Sequence, residues 1–360
     1  LPPAGNLPGA SFVLPLDFVA SAVGYTGVPV VLADRYNEDV VAQNIDPYAD
    51  IRESGLSAEF NWEVSDTMTL TSVTAFRAYD ADDFVDADFN ALDILNTSGG
   101  TTEQDTFSQE FRIAGTYSDR INYVAGAYFF DQEINRQNRL GLGTVANLLL
   151  TGGLPTSFFV GGAAACPLIG ISEAVCNGAA FPAGEYADSI STQEQKSWAV
   201  FAQADIDISE QLVLTAGVRY LDEEKDMNVT FTESIFTPVW GAFTPLSPFV
   251  PDVDNETFED TAVTGTLKLS YFFNDQVMGY VSWGRGYKSG GTNIDRISSA
   301  TGAPLLFDAE TSDSLEVGLK GDFFDRRLRI NASAYQTDFE DFQENAFVGT
   351  GFVLQNAGEI

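Results

Sequence analysis

Carboxylates are the side chains with which this chain could most readily do chemistry, because 52 Asp and Glu stand against 18 Lys and Arg and histidine is absent. Without histidine, the chain lacks the commonest general base and metal ligand, which excludes histidine-based triads and most zinc or iron sites. The formal net charge of −34 also repels the phosphates of nucleic acid, so we expect no nucleic-acid partner. The composition therefore favours a protein that is not an enzyme and that holds no cofactor and no metal ion.

The two cysteines, Cys166 and Cys176, lie in a loop-like stretch, and their spacing fits neither a CxxC redox motif nor a zinc site. An even pair in an exposed loop favours a disulfide, which would form in an oxidising compartment. The alternative is a pair of free, buried thiols.

Short polar turns that join alternating apolar and polar stretches are the main signal for the fold. They lie at 64–67, 117–120, 208–211, 273–276 and 324–327, and long, unequal returns connect one hairpin to the next. Short turns at one end and long loops at the other are typical of an up-and-down antiparallel β-barrel in an outer membrane. We therefore predict an all-β transmembrane protein. The predicted strands are 52–64, 67–80, 105–116, 120–133, 193–208, 211–227, 258–272, 276–288, 309–323 and 327–341.

The alternation of side chains assigns the two faces of these strands. The apolar face, which carries Trp62, Ile206, Leu214 and Leu319, would contact lipid, and the polar face would line a wet lumen. A soluble sandwich with its apolar face inward would show the same alternation, but the strand length and the unequal loops favour the membrane. The lumen-lining residues that we predict are Glu110, Arg112, Arg219, Lys268, Glu316 and Lys320.

Arg285 breaks this pattern, since its position places it on the same face as Val281 and Trp283. Either its side chain reaches up to the outer membrane interface, or a bulge at the neighbouring glycines reverses the register of the strand.

Several strings of residues follow one another in an order that a known family also shows. They are Phe107–Ile113 (FSQEFRI), Tyr123–Phe129 (YVAGAYF), Leu214–Tyr220 (LTAGVRY), Tyr280–Gly291 (YVSWGRGYKSGG), Ser314–Lys320 (SLEVGLK) and Gln355–Gly358 (QNAG). These strings resemble those of TonB-dependent receptors, the energised outer-membrane transporters of Gram-negative bacteria. Each string alone is weak, but together they make the resemblance specific over residues 52–360.

The resemblance implies a 22-stranded barrel whose lumen holds a plug domain. Ten strands cannot close such a barrel, so we expect residues 52–360 to form a partial barrel, without the plug and the C-terminal strands. Residues 1–51 would be an extracellular loop segment. The resemblance also implies a location in the bacterial outer membrane, in contact with its lipid. The TonB energy-transducing complex would be a partner, reached through the plug and its coupling box.

In this family, extracellular loops and the outer side of the plug capture the ligand. The candidate loops here are 81–104, 135–192, 228–257, 289–308 and 342–352. Aromatic side chains on wet loops can pack on a chelate or a sugar face, although they can equally pack the loops against each other. The ligand-binding residues that we predict are Phe158, Phe159, Trp240, Phe243, Tyr287 and Lys288.

The function implied by the resemblance is TonB-coupled uptake of a scarce nutrient, foremost an iron–siderophore complex. A receptor for a glycan or for cobalamin is one alternative, and a passive porin or an adhesive outer-membrane protein is another. A soluble β-rich enzyme or carbohydrate-binding module forms a third class. Because histidine is absent, free metal ions are poor candidates for the transported species.

Overall fold

The computed structural model describes residues 43, 45–86, 93, 95–143, 186–233, 253–293, 305–348 and 351–359. Ten long strands form one antiparallel sheet in which neighbours in space are also neighbours in the chain, which confirms the all-β, up-and-down prediction. They are β1 (Tyr48–Ser65), β2 (Met68–Phe84), β3 (Leu95–Ser118), β4 (Ile121–Leu142), β5 (Tyr186–Ser209), β6 (Leu212–Glu233), β7 (Val253–Asn274), β8 (Val277–Lys288), β11 (Glu310–Phe323) and β12 (Leu328–Glu340).

Two small hairpins lie outside this sheet. Between β8 and β11, β9 (Gly291–Thr292) pairs with β10 (Leu306–Phe307). After β12, β13 (Gln343–Val348) pairs with β14 (Gly351–Asn356). The edges of the large sheet are β1, which pairs only with β2, and β12, which pairs only with β11, in the described part of the chain.

The expected short turns join the strands of each hairpin, and four of them share one capping contact. A backbone N–H donates to a short polar side chain two residues earlier, which mimics a backbone turn and explains why Ser or Asn recurs at this position. The contacts are Thr67 N to Ser65 Oγ (3.4 Å), Arg120 N to Ser118 Oγ (3.3 Å), Gln211 N to Ser209 Oγ (3.3 Å) and Gln276 N to Asn274 Oδ1 (2.9 Å).

The strands extend further at the loop end than the sequence predicted. β3 begins at Leu95, β4 runs to Leu142 and β5 begins at Tyr186, so parts of the predicted loops 81–104 and 135–192 are strand. Likewise, β6 and β7 take up both ends of the predicted loop 228–257, and β1 begins at Tyr48. Beyond the lipid both faces of a strand are wet, so the alternation that marks a strand disappears there.

Large apolar side chains share one face of the sheet. Ile206, Leu214, Leu269, Val281 and Val317 form one continuous row across five strands. Leu269, Val281 and Val317 are exposed, as are Trp62 and Leu319 elsewhere on this face. No second large sheet covers the apolar face within the described residues, so the sandwich alternative is wrong.

The opposite, polar face is more crowded. Ser197, Ala199 and Glu223 of this face are buried, whereas Trp198 and Val200 of the apolar face are exposed. Side chains crowd on the inside of a bend, so we infer that the sheet curves towards its polar face. We therefore call the polar face inward and the apolar face outward.

The outward apolar zone ends at a charged side chain near the loop end of most strands. On six strands the last apolar outward residue is followed, two positions nearer the loop, by a charged outward residue. The successions are Phe107 to Asp105, Phe129 to Asp131, Trp198 to Lys196, Tyr220 to Asp222, Trp283 to Arg285, and Leu315 to Asp313. At its other border the zone reaches the short turns. Each strand crosses this outward belt with about nine residues, of which every second one points outward, and a tilted strand needs about this length to cross the apolar core of a bilayer.

The belt predicts that a charge at its middle destabilises the protein in lipid. Leu267 lies outward, half-way along the belt of β7, and the preceding residue, Thr266, points inward. We expect Leu267→Arg to cost about 2–4 kcal/mol in the full-length protein folded in lipid vesicles. The measurement is urea unfolding, with Thr266→Arg as the matched control. Equal costs for the two variants would contradict the assignment of the faces.

Candidate functional site

The inward face carries all six residues that the sequence predicted to line a lumen. By register, Glu110 and Arg112 of β3 and Arg219 of β6 share this face. Lys268 of β7 and Glu316 of β11 follow on the next strands, and Lys320 lies on the same face of β11. The structure therefore brings the six to one surface, although their role in transport remains a prediction.

Arg219 lies among aromatic rings. Its guanidinium carbon is 5.7 Å from the ring centre of Tyr128 and 5.8 Å from that of Phe201. These rings belong to β5, which pairs with β6, and to β4 beyond it. Both rings point inward, because Tyr128 and Phe201 alternate with the outward Phe129 and Val200. Two aromatic faces stabilise a cation without neutralising its charge.

Lys268 and Lys320 approach a single tyrosine from two strands. Their Nζ atoms lie 5.2 Å and 5.4 Å from the ring centre of Tyr280 on β8. The hydroxyl of Tyr280 donates a hydrogen bond to Glu316. Two cations and one carboxylate therefore surround one ring on the inward face, near its short-turn end.

These inward cations are mostly without acidic partners. Arg112 is 3.2 Å from Glu110, two residues away on the same strand. By contrast, Arg219, Lys268 and Lys320 make no ion pair within 4 Å among the described residues and contact aromatic rings instead. In a chain with a net charge of −34, three inward cations thus stay available to an anion.

A buried ion pair fixes the chain after β8. Lys225 Nζ lies 3.2 Å from Glu223 Oε1, and the two side chains are only 12% and 7% exposed. The same Nζ donates to Ser289 Oγ at 2.5 Å and to the carbonyl of Gly290 at 2.7 Å. The hydroxyl of Ser289 in turn donates to Glu223, which also accepts from Gln195 Nε2 at 3.0 Å. The segment that follows β8 is thereby held across the inward face of β6.

Glycine is required at position 290 by this close approach. A Cβ atom there would lie 2.5 Å from the carbonyl oxygen of Phe307 and 2.6 Å from the ring of Phe258. Packing at the loop end therefore accounts for the glycine at position 290 of the motif at Tyr280–Gly291.

Tyr287 and Lys288, the two predicted ligand contacts within the described residues, differ in availability. The hydroxyl of Tyr287 donates to Asp260 Oδ2 at 2.9 Å, and burial together with this bond raises the pKa of Tyr287 above its usual value. Lys288 stays largely exposed, with its Nζ 4.0 Å from Glu310. Of the pair, only Lys288 presents an exposed charged group to a solute.

Arg285 lies outward, as the first of the two alternatives stated. The register of β8 with β11 continues through this residue without a bulge, and the register of β8 with β7 reaches it without a bulge beyond the turn. Its guanidinium is 3.9 Å from Asp313, beyond the loop-end border of the outward belt. The glycine bulge is therefore wrong.

The β13–β14 hairpin is tied to the loop after β8 by amide side chains. Gln343 Nε2 donates to the carbonyls of Ser289 (2.9 Å) and Asp308 (3.0 Å). Asn293 exchanges two hydrogen bonds of 2.8 Å with the backbone of Leu354, and Asn356 donates to the carbonyl of Asp308 at 2.9 Å. Sequence reasoning missed Gln343 and Asn293; only Asn356 stood in a recognised string.

Several predictions fall outside the described residues and stay predictions: the aromatic contacts Phe158, Phe159, Trp240 and Phe243, and the disulfide between Cys166 and Cys176. Within the described ranges, no helix is long and apolar enough to cross a membrane. In the same ranges, no group of three or more acidic or cysteine side chains could hold a metal ion.

The buried pair predicts a large effect on the segment after β8. Lys225→Met leaves Glu223 as an uncompensated buried charge, which costs about 3–5 kcal/mol. We expect faster amide hydrogen exchange at 289–293 in the full-length protein, and Lys225→Met combined with Glu223→Leu should restore much of the protection.

The control for this experiment is Arg77→Met. Arg77 pairs with Glu53 on the surface, where both side chains are exposed, so its loss should change stability by at most about 1 kcal/mol. Unchanged exchange at 289–293 in Lys225→Met would show that the ion pair does not hold this segment.

Comparison with known proteins gives a consistent result. The family whose sequence model matches residues 5–360 is described as TonB dependent receptor-like, beta-barrel. The ferric yersiniabactin uptake receptor FyuA from Yersinia pestis superposes with a TM-score of 0.61 at 16% identity, over 88% of this chain and 39% of that one. The siderophore receptor PiuA from Acinetobacter baumannii gives 0.59 at 13% identity, over 89% and 44%.

The ferric-catecholate import receptor Fiu from E. coli K12 is also similar, with a TM-score of 0.52 at 12% identity, over 93% of this chain and 46% of that one. At such identities the likeness shows the fold alone. The chain spans less than half the length of each of these three receptors.

Proposed function

We propose that this chain, which belongs to the TonB-dependent receptor family, forms part of the barrel wall of a transporter for an iron–siderophore complex. Members of this family are transporters rather than enzymes, and they lie in the outer membrane of Gram-negative bacteria. The outward belt, with its charged border at the loop end, is the surface that contacts the lipid of this membrane.

The observation that carries the proposal is the set of inward cations that have no acidic partner. Arg219, Lys268 and Lys320 stand beside aromatic rings on a face that would enclose the transported solute. Guanidinium and ammonium groups bind carboxylate or catecholate oxygens, and the rings offer apolar contact to the organic part of a chelate. This combination suits an anionic complex better than a bare metal ion.

The names of the similar structures support the same class of ligand. FyuA is named as a ferric yersiniabactin uptake receptor and PiuA as a siderophore receptor. The lack of histidine adds to this, since a preformed chelate needs no imidazole ligand from the protein.

Energy for the uptake would come from the TonB energy-transducing complex. A wide polar lumen without a plug would leak solutes, so we expect the full-length receptor to carry a plug that the complex moves. The full-length receptor should therefore show no spontaneous solute flux in liposome swelling, whereas a passive porin would.

Growth on defined nutrients tests the proposed function. Under iron restriction, we expect a strain without the intact gene to lose growth on at least one ferric siderophore and to keep growth on ferrous iron salts. A loss confined to a glycan or to cobalamin would assign the receptor to that ligand instead. Identical growth of both strains on every source would contradict uptake altogether.

The inward cations give a sharper prediction at the level of residues. Removing one charged partner of an anion costs about 1.5–3 kcal/mol, so Arg219→Gln or Lys320→Gln should weaken binding of the identified ferric siderophore about tenfold or more. The measurement is quenching of intrinsic fluorescence by the complex in purified full-length receptor. Lys196→Gln, which removes an outward cation of the belt border, is the matched control and should leave affinity unchanged.

A further inference from the structure

The wall of the sheet divides between β7 and β8 at the loop end. Their register runs from Asn274 and Val277 to Gly265 and Arg285 and stops there. Beyond this point β7 continues to Val253, paired with β6, and β8 continues to Lys288, paired with β11. The contrast is the β4–β5 pair, whose register stays continuous from the turn end to the loop end.

The divided strands enclose a cavity of about 560 Å³, which we call the β7–β8 slot. Side chains from both faces of the sheet line it, with Val263 and Trp283 from the outward face and Ala262 from the inward face. Tyr287 lies across the slot, because its hydroxyl bonds to Asp260 on the other strand at 2.9 Å. The slot therefore passes into the wall rather than lying on one surface.

Two strand edges border the slot. Beyond Gly265 and Arg285, no backbone hydrogen bond joins β7 to β8 in the described part of the chain. A backbone group that loses water without gaining a partner is costly, so an occupant that displaces water from these edges must not be purely apolar. The occupant must bring hydrogen-bonding groups to the slot.

The position of the slot points to a molecule with a polar end and an apolar end. Val263 and Trp283 are the last apolar side chains of the outward belt on their strands, and the next outward residue on β8 is Arg285. The guanidinium of Arg285 is 43% exposed and only loosely paired with Asp313, at 3.9 Å. Asp313 also accepts a hydrogen bond from the indole N–H of Trp283 at 3.2 Å.

We propose that the β7–β8 slot binds one lipid of the outer leaflet, whose phosphorylated head group contacts Arg285 and the free strand edges. The acyl chain would continue along Val263 and Trp283 into the lipid layer. Guanidinium and backbone N–H groups are the donors that proteins use for phosphate. A lipid is the occupant because the slot is continuous with the lipid-facing belt, polar above and apolar below.

The proposal rests on the outer-membrane location and not on the identity of the transported ligand. The residues proposed to contact the lipid, Val263, Trp283 and Arg285, lie on the outward face, whereas Arg219, Lys268 and Lys320 face inward. Lipid binding can therefore be measured whether or not the receptor transports a siderophore. Either proposal can fail while the other holds.

Native mass spectrometry of the full-length receptor in mild detergent tests the site. The probe is lipid A that carries phosphate, added at defined ratios after delipidation. We expect one tightly held lipid per receptor and at least a tenfold loss of occupancy in Arg285→Gln. Lys196→Gln is the matched control, because Lys196 is the outward cation at the belt border of β5, where the strand pairs on both sides and no gap exists.

A second variant tests the cavity itself. Val263→Trp keeps Arg285 but fills the slot, so it should also lose the bound lipid. Dephosphorylated lipid A should bind the unaltered receptor at least tenfold more weakly than the phosphorylated form. Equal occupancy in Arg285→Gln and Lys196→Gln, full retention by Val263→Trp, or equal binding of the two lipid forms would each overturn the proposal. If Arg285→Gln does not fold, Val263→Trp and the lipid comparison decide.

Discussion

Satisfaction of backbone hydrogen bonds in a lipid environment is the constraint on which the rest of this structure depends. Hydrocarbon offers no partner to N–H or C=O groups, so each strand must find its partners in its neighbours. The long, nearly unbroken register of β3 with β4, from Leu95 and Leu142 to Ser118 and Ile121, meets that demand. By the same constraint, strand edges that are unpaired among the described residues need another partner. These edges are the outer edges of β1 and β12 and the loop-end part of β7 and β8.

Charge is distributed over the two faces by the same physical logic. Acidic residues such as Asp105, Asp131 and Asp222 stand outward where the apolar belt ends, because water and head groups begin there. Inward, cations stand beside aromatic rings, and Lys225 with Glu223 closes a network at the loop end. A strongly acidic chain thus keeps cations on its inward face.

The fold was largely predictable because lipid on one side and water on the other impose a period of two. The rows through Ile206, Leu214 and Val317 follow that period, and the Ser or Asn of the short turns marked where each hairpin reverses. Above the membrane both faces are wet, so the extensions of β3, β4 and β5 carried no such signal. The strand starts at Leu95 and Tyr186 were missed for that reason.

The site was predictable to a smaller extent. The polar face of each strand could be read directly, which placed Arg219 and Lys268 on the inward surface, but their aromatic neighbours come from other strands and depend on register. Contacts between loop segments, such as Gln343 with Ser289, join residues far apart in sequence with no periodic pattern. Tyr287 is a further example of a contact that the sequence did not predict. Its hydroxyl bonds to Asp260 in the region where β7 and β8 no longer pair, and no sequence pattern marks the end of that pairing.

Spin labels placed one at a time along 263–269 of β7 test the central claim most directly, in full-length receptor with Cys166 and Cys176 replaced by serine and reconstituted in lipid vesicles. The account predicts that labels at positions 263, 265, 267 and 269 collide with oxygen dissolved in lipid. Labels at 264, 266 and 268 should be shielded from lipid, so that accessibility to oxygen alternates with a period of two. Uniformly low accessibility to oxygen at every position would place both faces in a dry protein core and would contradict the account.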